Sequence, residues 1–290
     1  MRLKIHSSLL LLALFFVFTL TNCSEDDLPE GYNYPSMVGN QWEYSTRVIQ
    51  HYTNNGVTTN IDTLTSTNTV KVESSNEIIN SRNAVLFSET TYDYTGRIAQ
   101  GFNYYEITED VMQLLAYQGG AFMSMPKRNN PEIVRVNGCE FSSLDELCGI
   151  LELNNKYSST MDDSLIIESE PCVVYSYPLD IGKEWIYKQY TDPSMLIQKK
   201  VLSIENVTTD AGTFECYKIQ WQYDMNNDSV WDDNIEYYEY ASISGLIKRT
   251  MHITRVAMTD PANPDAGDTI LEVFSEMDLN SLSIQEGYLR

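Results

Sequence analysis

The side chains best placed to do chemistry lie in one short acidic stretch. In "DMNNDSVWDD", residues 224–233, Asp224, Asn226 and Asp228 fall at alternate positions, and Asp232 follows. Alternate oxygens of this kind can curl round a hard divalent cation, with a backbone carbonyl from Val230 between them, as in a calcium loop. Ser229 stands where such loops turn on Gly, and Ile235 stands where they place a bidentate Glu, so Asp233 or Glu236 would have to substitute. The competing reading is an acidic hairpin loop whose like charges repel. Both alternatives stay open, and a calcium ion here would be structural.

Four cysteines form the next set. Cys139, Cys148, Cys172 and Cys216 are an even number once Cys23 is set aside, and outside the cytoplasm they are disulfide candidates with three connectivities. Cys139 and Cys148 flank a helix candidate; Cys216 either meets Cys172 or both stay reduced. Beyond residue 22 the histidines are His51 and His252, both in strand-like runs. No H-E-x-x-H, G-x-S-x-G, P-loop or G-x-G-x-x-G pattern occurs. A hydrolase built on two carboxylates is the remote alternative, since 41 acidic residues supply many pairs. The reading is a chain that is not an enzyme. With 19 basic residues against those acids the net charge is −22, which repels phosphate backbones and excludes nucleic acid as a partner.

The elements that would position these residues are mostly strands. "NYPSMVGNQWEYS" at 33–45 aligns with "SYPLDIGKEWIYK" at 176–188, matching Tyr34, Pro35, Gly39, Trp42 and Tyr44 to Tyr177, Pro178, Gly182, Trp185 and Tyr187. Gly permits a tight turn, and Trp and Tyr two apart share one face of a strand. Trp42 and Trp185 are therefore expected as core anchors at the start of two β copies. Strand-like runs follow each signature, punctuated in the first copy by Asn55-Gly56 and other turn pairs. "YYE" at 104–106 recurs at 237–239, ten residues out of step with the signatures, and a longer first hairpin absorbs the difference. On the run 216–223, Cys216, Lys218, Gln220 and Gln222 read as the polar face; Tyr217, Ile219, Trp221 and Tyr223 read as the buried one. "CEFSSLDELCGI" is the best helix candidate, capped by Ser142 or Ser143.

The expected fold is mainly β: two tandem bent antiparallel sheets joined by a short helix-containing segment. The boundaries run 1–22 for a signal peptide, 23–30 for an acidic tether, 31–130 for the first β copy, 131–171 for the connector and 172–290 for the second copy.

The first 22 residues are an address. Arg2 and Lys4 precede an apolar stretch from Ile5 to Leu20, too short and too abruptly followed by "SEDD" to be a membrane span. Leu20, Thr21 and Asn22 then precede Cys23. This pattern resembles a bacterial lipobox, in which the cysteine becomes the lipid-bearing first residue, and "SEDD" resembles the acidic tether of surface-exposed lipoproteins of Bacteroidetes-type bacteria. The resemblance implies a lipid anchor on Cys23, a membrane as partner, and an outer-membrane location in a Gram-negative bacterium.

The repeats add a second resemblance. A loose group of secreted bacterial lipoproteins opens each domain with "YPL-x-x-G-x-x-W-x-Y". They later carry "G-x-F-x-C-Y-x-I", matched by Gly212, Phe214, Cys216, Tyr217 and Ile219, and "G-L-I-K-R", matched by Gly245 to Arg249. It implies fold and location and no activity. The functional expectation is a non-enzymatic envelope lipoprotein with a structural or interaction role. The alternative is a binding module holding a glycan or acyl ligand on a Tyr/Trp-rich concave face.

Overall fold

The computed structural model describes residues 33–119, 133–151, 164–191, 194–262 and 267–285; Cys23 lies outside the described residues. In chain order the strands are β1 (Gln41–Asn54), β2 (Val57–Ile79), β3 (Arg82–Asp93), β4 (Ile98–Ile107), β5 (Val111–Gly119), β6 (Ile133–Val136), β7 (Cys139–Phe141), β8 (Leu165–Ser176), β9 (Glu184–Thr191), β10 (Ser194–Thr209), β11 (Gly212–Asp224), β12 (Ile235–Ser242), β13 (Gly245–Thr259) and β14 (Thr269–Ser283). One helix among the described residues, α1 (Leu144–Ile150), falls in the predicted segment. Ser143 caps it by accepting from the Glu146 amide at 3.1 Å, and Ser142 donates its own amide to Glu146 at 2.7 Å. This reciprocal arrangement satisfies amides that a helix start leaves unpaired.

The mainly β class is as expected, but in place of two separate sheets the strands of both copies form one. Its order is β8-β5-β4-β3-β2-β1-β14-β13-β12-β11-β10-β9, with the β6–β7 hairpin attached to β13. The join is β1 with β14, paired antiparallel from Gln41↔Ser283 to Asn54↔Thr269. The shared sheet encloses aromatic residues of both copies in one cluster. The core crosses the expected boundaries accordingly: one buried cluster runs from Val48 through Leu147 of α1 to Val273, and another joins Tyr34 and Trp42 to Tyr175 and Trp185.

The two signature segments make the same turn bond for bond. The Gly39 amide donates to Val72 O at 2.9 Å and Asn40 N to Met37 O at 3.0 Å; Gly182 N donates to Val201 O at 2.8 Å and Lys183 N to Asp180 O at 3.0 Å. Both glycines hold positive φ. These pairs also locate the length difference. The offset between copies is 143 at Gly39/Gly182, 129 at Val72/Val201 and 133 at Tyr104/Tyr237. The first hairpin is therefore 14 residues longer in copy one, turning at Asn55-Gly56 with φ of 51° and 77° as a two-residue hairpin requires. The loop 225–234 returns part of that length in copy two.

Trp42 and Trp185 are the expected anchors: Trp42 donates its indole N–H to Ser244 O at 2.7 Å, and Trp185 donates to Val173 O at 3.0 Å. Burying such a ring contributes about 1.5–3 kcal/mol. Trp42 also explains Gly245 at the head of "G-L-I-K-R". Its φ is +103°, and a Cβ there would meet Trp42 Nε1 at 2.9 Å. Gly245→Ala should lower unfolding stability in urea by about 2–4 kcal/mol, from left-handed strain and overpacking together. Gly182→Ala, whose Cβ would meet nothing within 4 Å, should cost only the backbone strain of about 1–2 kcal/mol.

Candidate functional site

Strands β8 and β9, the ends of the sheet, curl round to lie side by side, and there backbone pairing stops. Side chains bridge the seam. Trp185 reaches Val173 O as above, Lys188 Nζ lies 3.3 Å from Glu168, and Lys199 donates to Val174 O at 3.1 Å. Lys199 comes from the inward row Met195, Ile197, Lys199, Val201 of β10 and is fully buried. Its ammonium lies 2.9 Å from Glu239 Oε2 and 3.9 Å from the centre of the Trp221 ring, with Tyr187 and Tyr175 at 5.1 and 5.2 Å. Glu239 also accepts from Arg249 at 3.0 Å. Burial pushes the Glu239 carboxyl up, but Lys199 and Arg249 outweigh it and hold it below its ordinary value.

The belt continues to Glu89 on β3, which accepts from Asn68 Nδ2 on β2. Here burial wins, and the Glu89 carboxyl sits above its ordinary value despite Asn68 and Arg249. Two interior cavities flank the belt. One of about 40 Å³ is lined by Lys199, Trp221, Glu239 and Arg249, and one of about 90 Å³ by Asn68, Glu89, Tyr105 and Arg249. The concave face thus carries the aromatic residues expected of it, but they pack against one another.

Open space is found on the outer face. A groove of about 540 Å³ crosses β12, β13, β14 and β1, where the longer first hairpin brings Arg47, Ile49 and His51 beside Phe274, His252 and Tyr238. Phe274 stacks on the His252 ring, centroids 3.9 Å apart at 11°, and approaches His51 edge-on at 6.2 Å. Glu272 lies 2.6 Å from His252 Nε2 and 3.9 Å from His51 Nδ1. The two histidines of separate strand-like runs are therefore neighbours across the β1–β14–β13 join. Their meeting follows from register alone: His51 is opposite Glu272, and His252 is opposite Phe274.

The predicted cation loop turns inward on itself. Asp224 accepts from the amides of Asp228 at 3.0 Å and Ser229 at 2.9 Å. Asp228 accepts from Val230 N, Asp232 accepts from Met225 N, and Asn226 presents its amide nitrogen to Asp228. Asn227 and Ser229 take positive φ to allow this closure. Among the described residues no group of three or more His, Cys, Asp or Glu is placed to hold a metal ion.

The expected disulfides are also absent from the described residues: Cys139, Cys148, Cys172 and Cys216 are thiols. Cys139 donates to Met225 O at 2.8 Å, while Cys172 and Cys216 belong to different buried clusters and so do not meet. Cys216 is fully buried rather than on a polar face, and burial pushes its thiol up to about 12. Lys218, Gln220 and Gln222 stay partly exposed as the alternation implies.

Glu89 gives a pH test. Its folded pKa is raised, so its contribution to stability is present below the unfolded carboxylate value and is lost as pH rises through the folded one. Glu89→Gln, which keeps an acceptor for Asn68, should therefore raise urea stability at pH 7 and show no gain at pH 3.5.

Residues 186–250, from β9 into β13, match the DUF3108-like family. No match to a curated protein is found. Among solved structures, the chain is similar to a protein described as exported, with a YmcC-like fold, from Bacteroides fragilis: identity is 14%, covering 87% of this chain and 99% of that one, with a TM-score of 0.40. It is also similar to a protein described as a lipoprotein from Parabacteroides distasonis, at 15% identity, covering 86% and 97%, with a TM-score of 0.33.

Proposed function

We propose that this chain is a cell-envelope lipoprotein, held at the outer membrane of a Gram-negative bacterium by lipid on Cys23, with a non-enzymatic structural or interaction role. The observation that carries the reading is Cys23 itself, placed directly after a signal-type apolar run and before four polar residues that begin a tether. Several acyl chains at about 0.8 kcal/mol per buried CH₂ give firm anchoring. The buried charges support a structural role, since Lys199 and Glu239 are spent holding strands together. On this reading contact with partners falls to the outer surface.

A second reading, a binding module, is favoured by the outer groove. Its volume of about 540 Å³ is in the range of small-molecule sites, and its Phe274, Tyr238 and Arg47 offer ring faces and hydrogen bonds to a glycan. An acyl ligand finds less support, because the interior cavities are an order smaller.

Cys23→Ser tests the first reading. Metabolic labelling with palmitate should mark the unaltered chain and not the variant, and the variant should move from the membrane fraction to the soluble one. Equal labelling and fractionation of the two would overturn it.

A further inference from the structure

The strands run alternately between two rims. At one rim β1 begins, β14 ends, and the turns 36–39, 177–183 and 243–244 connect neighbouring elements. These three turns adjoin: the Tyr34 amide donates to the Tyr177 hydroxyl at 3.1 Å, and Trp42 reaches Ser244. Each carries an exposed apolar side chain at its tip: Val38 (50% exposed), Ile181 (62%) and Ile243 (45%). Val38 and Ile181 occupy the same position in the two signature segments, just before the glycine. Both copies therefore present an aliphatic group to solvent where a polar residue would be easily accommodated.

The described chain enters at this same rim, at Asn33. Residues 23–32 span at most about 35 Å fully extended. The opposite rim bears exposed Tyr94 and Trp231, and it competes as an apolar surface. However, β1 alone, 14 residues long, covers about 45 Å between the rims. A tether entering at the first rim cannot bring the tip of the β1–β2 hairpin down to the membrane that holds Cys23 while the strands stand upright.

From this geometry we propose that the entry rim seats on the bilayer, with Val38, Ile181 and Ile243 dipping into the headgroup boundary. The inference rests on the lipid anchor proposed above and adds an orientation to it. Charge selects the kind of surface. Residues 33–42 and 241–247 carry no charged side chain, while the 177–183 turn carries an exposed Asp180 beside Ile181 and Lys183, whose ammonium donates to the Tyr177 and Pro178 carbonyls; the chain as a whole has a net −22. The adjoining turn contributes Glu109 and Asp110, and the Asp110 carbonyl accepts from Tyr177 N at 2.8 Å. Such a rim suits zwitterionic headgroups, whose ammonium groups face the acids, and is repelled by anionic ones. Seated this way, the outer groove and the far rim remain open to the surroundings.

The test uses the lipidated full chain in phosphatidylcholine vesicles, with an environment-sensitive fluorophore on Val38→Cys, Ile181→Cys or Tyr94→Cys, each with Cys139→Ser. A quencher carried on the lipid should reduce emission from positions 38 and 181 at least threefold more than from position 94. Added anionic lipid should weaken that contrast. A chain that floats with the vesicles but shows equal quenching at all three positions, or most at position 94, overturns the seating and leaves the anchor standing. Labels at 38 and 181 shielded from water without lipid quenching would also overturn it, pointing to a protein on this rim. A chain that does not float overturns the anchor and the seating with it.

Discussion

The seam where the sheet almost closes depends on one buried ammonium, that of Lys199. A sheet that almost closes has two last strands with no backbone ladder between them, and their unpaired amides and carbonyls would each cost free energy if left without partners. Lys199 addresses the seam from within: it donates to the β8 carbonyl of Val174, while Glu239 and the Trp221 face offset the cost of burying its charge. Glu239 ties that arrangement through Arg249 to β13, so strands β8, β10, β12 and β13 share one hydrogen-bonded unit. Replacing such a unit with apolar side chains is often neutral for stability, but it would leave the β8 carbonyl without its donor.

The belt also divides the interior. Below it lies the cluster containing α1, Val48 and Val273; above it lies the aromatic cluster of Tyr34, Trp42, Tyr175 and Trp185. The upper cluster takes Tyr34 and Trp42 from one signature and Tyr177 and Trp185 from the other, together with Tyr44, whereas Tyr187, the counterpart of Tyr44, packs on Trp221 in the lower cluster. The lower half is where the copies differ, since the 14 added residues of the first hairpin extend β1 and β2 there. That extension places Arg47, Ile49 and His51 against β14 and forms the outer groove.

Much of this was legible in the sequence, and the reasons are physical. Period-two alternation, turn pairs such as Asn55-Gly56, and the Ser143–Glu146 cap are local signals, and each forms the element it implies. The aromatic signatures are local too. The single sheet was not legible, because β1 pairs with β14 across 215 to 242 residues of chain, from Asn54↔Thr269 to Gln41↔Ser283. The belt left a faint mark: Lys199 and Glu239 each break an otherwise apolar alternation, at "MLIQKK" and "YYEYA", and a charge on a buried face signals a partner. The His51–Glu272–His252 neighbours left none, since register alone unites them. The acidic loop is ambiguous in the sequence, because carboxylates at alternate positions suit a bound ion and an amide-closed turn equally well; Asp224 accepts the amides of Asp228 and Ser229.

The central claim is that Lys199 holds the seam, and native-state hydrogen exchange of β8 measures it most directly. Lys199→Met keeps the stem and removes the donor. The amides of residues 165–176 should then exchange at least about tenfold faster through local opening, while those of β1 and β14 keep their protection. Unchanged protection of β8, or an equal loss in every strand, would contradict the account.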